Sequence, residues 1–282
     1  MNTTKIIEQI RQLDLKDFPE QKVRELLTNL FSEKIPIVTT DFNTPKEIER
    51  AVNNTDNEPV FNSKKRISYK PVELNTEFLR ASTPGNTMFY ASVVPEDELS
   101  QDEIKYGRII GASEVVDLLR EDKDGERLVT FGKWEVQNTI SVMTIFDPNK
   151  DYNVNYINKV RDFYNHQNLS ASDVKKRDEV LSFLAEEFSK KVDKNENYKY
   201  LISAIASELI ANNSSDGILY PSVQSNGYGL CLALHPKVMD RLKLIKVLQC
   251  KIIKENQNIT LLNLNACKVE NNSENFELKS IQ

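Results

Sequence analysis

Residues 216–234, DGILYPSVQSNGYGLCLAL, set two short apolar runs on either side of a proline, a serine and two glycines. Proline has no N–H and holds φ near −65°, so a strand through 218–220 ends at Pro221 and leaves Ser222 at a sheet edge or turn. Gly227 and Gly229 permit a tight return into a second strand over 230–234. On this stretch alone the expectation is a β-hairpin whose serine caps its turn. Whether Ser222 does more depends on what folds against it.

With 282 residues, 39% of them hydrophobic and 28% charged, the chain has apolar material for one large domain, or for one domain with a helical appendage. Residues 1–18 carry Lys5, Glu8, Arg11, Asp14, Lys16 and Asp17, so that stretch reads neither as a secretory leader nor as a membrane span, and a soluble protein is expected. Cys231, Cys250 and Cys267 lack C-x-x-C spacing, and His166 and His235 are not spaced as ligands. No metal site is expected, and the cysteine usage favours a cytoplasmic location. A net charge of −5 argues against direct nucleic-acid binding, which needs clustered lysine and arginine. An anionic ligand would have to be met by a local arginine.

Ile6, Ile7, Ile10 and Leu13, then Val23, Leu26, Leu27, Leu30 and Phe31, recur at helical spacing on either side of Pro19. These two stripes either pack on the body of the protein or face a partner. Pro36 and Pro45 break regular structure, and residues 53–65 are polar enough for a mobile connector. The expected organisation is an N-terminal helical segment and linker over 1–65, a main domain over 66–270 and a frayed polar tail over 271–282. Within the main domain, Pro84-Gly85 marks a turn, 87–94 a strand, and 96–105 an acidic surface excursion. Residues 111–119 read as the start of a helix, with Ser113 near its cap and Glu114 in its first turn, where a carboxylate ordinarily complements the macrodipole. Residues 128–134 and 139–146 read as strands forming an antiparallel pair. Ser170 with Asp173 resembles a capping box before a long helix, a second helix covers 200–209, and late strands cover 242–253 and 260–264.

No dinucleotide fingerprint or P-loop is present, and Ser222 lacks the G-x-S-x-G context of an esterase nucleophile. The ordered set of Arg80, FYAS with Tyr90, ASEV with Glu114, Lys133-Trp134 and DGILYPSVQ with Ser222 resembles the RES domain family over about residues 66–250. Its most specific part is the aspartate, glycine and apolar pair that run into Tyr-Pro-Ser. Glu98 and Glu103 compete with Glu114 for the family glutamate.

That resemblance implies an α/β (α+β) fold with a mixed, largely antiparallel sheet, similar to ADP-ribosyltransferases. It also implies an NAD-degrading enzyme that cleaves the nicotinamide–ribose bond with water or phosphate as acceptor. NAD is then substrate rather than cofactor, and the resemblance implies an antitoxin protein as partner, as in a toxin–antitoxin pair. Transfer of ADP-ribose to a macromolecule, or a non-catalytic interaction role, are the alternatives. On the first reading Arg80 forks onto a phosphate and Tyr90 stacks on nicotinamide or ribose. Glu114 stabilises the oxocarbenium-like centre and Ser222 holds nicotinamide or phosphate.

Overall fold

The computed structural model describes the chain apart from residues 1, 34, 38, 94–100, 153, 194, 225–228, 257, 271–272 and 282, and apart from the side chains of 101–107. The fold is mixed α/β, built on a ten-stranded, mostly antiparallel sheet. The strands are β1 (Thr39–Phe42), β2 (Glu47–Asn53), β3 (Phe89–Val93), β4 (Gly125–Val136), β5 (Ile140–Thr144), β6 (Gly217–Pro221), β7 (Leu230–Leu234), β8 (Leu242–Glu255), β9 (Asn258–Lys268) and β10 (Lys279–Ser280). They lie in the order β1-β5-β6-β7-β3-β2-β4-β8-β9-β10, with β5 and β6 parallel and the other pairs antiparallel.

The six α-helices among the described residues are α1 (Thr3–Arg11), α2 (Glu20–Ser32), α3 (Gln101–Val115), α4 (Asn155–Asn165), α5 (Ala171–Ser189) and α6 (Leu201–Asn213). In α1 and α2 the apolar stripes are the ones the spacing predicts, and they are buried in the main core, where α1 packs on α5 and α2 on α6. Ser170 caps α5 by accepting from the Asp173 N–H at 3.2 Å. None of the helices is long and apolar enough to cross a membrane, among the described residues.

Several expectations need correction. Residues 1–65 supply β1 and β2 as well as helices, and β2 lies between β3 and β4 inside the sheet. The stretch expected as a mobile connector is packed: Phe61 is buried, Arg66 stacks on its ring, and the Pro59 carbonyl accepts from Gln249. The two strands expected to pair with each other do not. β4 pairs with β2 and β8, whereas β5 pairs with β1 and β6, so each has both hydrogen-bonding edges filled by partners other than its neighbour in sequence. The polar tail is anchored by β10 on β9, by the Phe276 N–H donating to Asn62 O, and by the Lys64 N–H donating to Glu274 O.

The DGILYPS stretch enters the sheet through Asp216. Arg241 forks onto this carboxylate at 2.6 and 2.9 Å, and the Ser141 N–H donates to it at 3.0 Å. The three residues tie the start of β6 to β5 and to the entry of β8. Gly217 follows because a Cβ there would meet Ala233 O at 2.2 Å. Burial alone would raise the Asp216 pKa, but Arg241 and the Ser141 N–H outweigh it and hold the carboxyl below its ordinary value. A carboxylate depressed on folding adds stability that is present above its unfolded pKa of about 4 and is lost as pH falls through the folded value. Asp216→Ala is therefore expected to cost ~2–3 kcal/mol at neutral pH, with the urea midpoints of the variant and the wild type converging below about pH 4. A gap between the two that did not narrow on acidification would reject this account of the clamp.

Candidate active site

The hairpin β6–β7 has the register expected from its proline and glycines. Tyr220 lies opposite Cys231, Pro221 opposite Leu230, and the Ser222 N–H donates to Gly229 O at 3.0 Å. Opposed residues of an antiparallel pair point to one side, as do residues two apart along a strand. Tyr220, Ser222 and Cys231 therefore share a face of the hairpin. Gly229 has φ +94°, and a Cβ on it would meet Ile110 Cδ1 at 2.3 Å. Its missing side chain lets α3 approach the hairpin closely.

Glu114 lies four residues beyond Ile110, on the same side of α3. Ser222 donates its hydroxyl to Glu114 Oε1 at 2.6 Å across 108 positions of sequence. The Cys231 thiol donates to the same oxygen at 3.6 Å. The helix itself departs from expectation: it spans Gln101–Val115, so Ser113 and Glu114 occupy its last turn rather than its first. Ser113 donates to Ile110 O instead of capping an N-terminus. The macrodipole thus offers Glu114 no favourable partner, and the contact with Ser222 is what engages its carboxylate. Helical residues 101–105 also replace part of the expected acidic excursion. Glu98 lies outside the described residues, as do the side chain of Glu103 and all of Gly227.

Arg80 is buried and its guanidinium is committed to the protein. It donates to Phe188 O and, at 3.0 Å, to Lys190 O, and it stacks on the Tyr200 ring with its central carbon 5.1 Å from the centroid. These carbonyls end α5, where they lack helical partners and carry the negative end of its dipole. One arm of the expected phosphate fork, Nη1, is therefore turned to backbone, and Nη2 donates to the Tyr200 hydroxyl at 3.4 Å. Tyr90 likewise turns its hydroxyl inward, accepting from the Ala81 N–H at 3.1 Å and sharing a 2.9 Å hydrogen bond with Ser82. Its phenol is pushed up to about 12 by burial, against the opposing pull of Ser82, Ala81 and Arg80. Through its hydroxyl Tyr90 fastens the bend that carries Arg80. Lys133 and Trp134 belong to the body of the sheet, with Trp134 fully buried edge-on to Phe89 at 5.4 Å.

Burial raises the Tyr220 phenol and the Cys231 thiol well above their ordinary values, Glu114 adds to both shifts, and Arg80 opposes both. Arg80 and Glu114 thus act on the same pair of groups from two sides, and both groups stay protonated near neutral pH.

Ser222 opens onto a cleft of about 230 Å³. Tyr220, Pro221 and Val223 continue that wall; Ala185, Phe188 and Ser189 of α5 face it, and Ile145, Lys150, Tyr152 and Lys191 complete the lining. Phe188 and Tyr220 meet at 5.4 Å between ring centroids. Arg80, Tyr90 and Glu114 stand behind this lining rather than in it. Four features escape a reading of motifs: Cys231, the α5 wall, Tyr152 and the lysine pair. The hairpin register was enough to put Cys231 beside Ser222; nothing in sequence spacing points to the other three. Among the described residues no group of three or more His, Cys, Asp or Glu is placed to hold a metal ion. No protein-family model matches the chain, and no curated protein matches it.

Proposed function

We propose that the chain degrades NAD by cleaving its nicotinamide–ribose bond, with water or inorganic phosphate as acceptor. The observation that carries the reading is the hydrogen bond between Ser222 and Glu114, which puts a carboxylate directly behind an aromatic-lined cleft. Breaking a glycosidic bond builds positive charge on the ribose, and a fixed carboxylate lowers the energy of that charge more than it lowers the energy of the ground state. Tyr152, Phe188 and Tyr220 supply apolar and aromatic surface for a flat heteroaromatic ring.

A cleft of about 230 Å³ is smaller than the ~300–1,000 Å³ that encloses a drug-sized ligand. On this reading it takes the nicotinamide and part of its ribose, and the pyrophosphate lies at the rim with Lys150 and Lys191. The direct test is release of free nicotinamide from NAD by the purified chain, compared with and without inorganic phosphate. No release under either condition would reject the reading. Lys150→Ala and Lys191→Ala are each expected to raise KM for NAD several-fold with little change in kcat, since each removes a charge–phosphate attraction at the rim. Nicotinamide riboside lacks the pyrophosphate, so its KM should not move. Equal effects on both substrates would remove the lysines from phosphate recognition.

A further inference from the structure

We infer that Ser222 and Cys231 together hold one oxygen of the Glu114 carboxylate and so fix its orientation behind the cleft, which makes Cys231 a positioning residue of the site. The inference rests on the NAD-degrading reading for its kinetic arm alone. Both hydrogen bonds that the described residues give this carboxylate go to Oε1, at 2.6 Å from the serine hydroxyl and 3.6 Å from the thiol. They come from the residue just past β6 and from β7, the two arms of one hairpin, so the pair of donors fixes the rotation of the carboxylate as well as its position. A single donor would leave it free to turn about that bond. Cys231 is 4% exposed and Ser222 1%, so water does not compete for either contact.

A thiol suits this position on chemical grounds. It donates only when protonated, and burial together with the neighbouring carboxylate keeps it so. It is also small and apolar enough to sit beside Tyr220 in the core. A thiolate in the same place would set two negative charges side by side in a dry environment, so the geometry excludes Cys231 as a nucleophile.

The test compares Cys231→Ala with Cys231→Ser. Alanine removes the donor and serine retains one, so kcat for nicotinamide release is expected to fall about fivefold to tenfold in the alanine variant and to recover in the serine variant, with KM for NAD unchanged in both. A purely structural cysteine gives the opposite order, because a hydroxyl is a worse fit than a methyl in an apolar core; equal or better activity in Cys231→Ala would overturn the assignment. A second readout needs no turnover. The S–H stretching band assigned to Cys231, from infrared difference spectra against Cys231→Ser, should shift to higher wavenumber in Glu114→Ala, which removes the acceptor oxygen altogether. A band that did not move would show that the thiol does not donate to this carboxylate, whatever the protein does to NAD.

Discussion

Glu114→Gln is expected to lower nicotinamide release by on the order of a hundredfold while leaving the melting temperature close to that of the wild type. The amide keeps the size of the side chain, and its carbonyl oxygen can still accept from Ser222 and Cys231, so both ties to the hairpin survive. The negative charge does not survive. Removing one preorganised electrostatic contact to a transition state costs ~3 kcal/mol, which is about a hundredfold in rate. The same change leaves the fold nearly untouched, because Glu114 is held through one acceptor oxygen, lies in the last turn of α3 and completes no ion pair among the described residues. The measurement is kcat at saturating NAD beside a thermal melt. An active variant would take the charge away from Glu114 and direct attention to Glu98 and Glu103. A variant that melted early would show the carboxylate to be a structural tie between α3 and the hairpin.

The parts of this fold that sequence predicts are those fixed by local chemistry. Pro221 ends β6, Gly229 with its positive φ permits the return into β7, Ser170 caps α5, and the stripes of α1 and α2 have helical period; each is settled by residues a few positions apart. Pairing of distant strands is not written locally. β2 lies inside the sheet between β3 and β4, and β4 and β5 part company, each taking partners that neither its own residues nor the short link between them specifies. The direction of α3 relative to Glu114 was lost for a related reason. A Gly-Ala-Ser-Glu run has the composition of a helix start, yet the helix begins at Gln101 and Glu114 falls at its far end. At the site, the meeting of Glu114 with Ser222 follows the ordered residues of the motif. The tasks of Arg80 and Tyr90 do not, because a motif specifies a side chain and not where that side chain points.

Arg80 is the sharpest instance, and its substitution has the second large effect expected here. Arg80→Ala removes both donors from the Phe188 and Lys190 carbonyls and empties the space beside the Tyr200 ring. Buried acceptors left without partners cost ~1–3 kcal/mol each, so a loss of ~3 kcal/mol in total is expected, and with it a fall of about 5 °C in the melting temperature. Arg80→Lys keeps the charge near the end of α5 and one nitrogen for the two carbonyls, which Arg80 reaches from Nη1 alone, but it loses the Nη2 contact with the Tyr200 hydroxyl and the planar stacking on that ring, so it should lie between the alanine variant and the wild type. If the guanidinium instead gripped a phosphate of the ligand, Arg80→Lys would melt normally and raise KM for NAD. KM measured on folded Arg80→Lys, set beside its melting curve, separates the two: a stability loss with little change in KM makes Arg80 the clamp that holds the end of α5, and through Phe188 one wall of the cleft, in place against Tyr220.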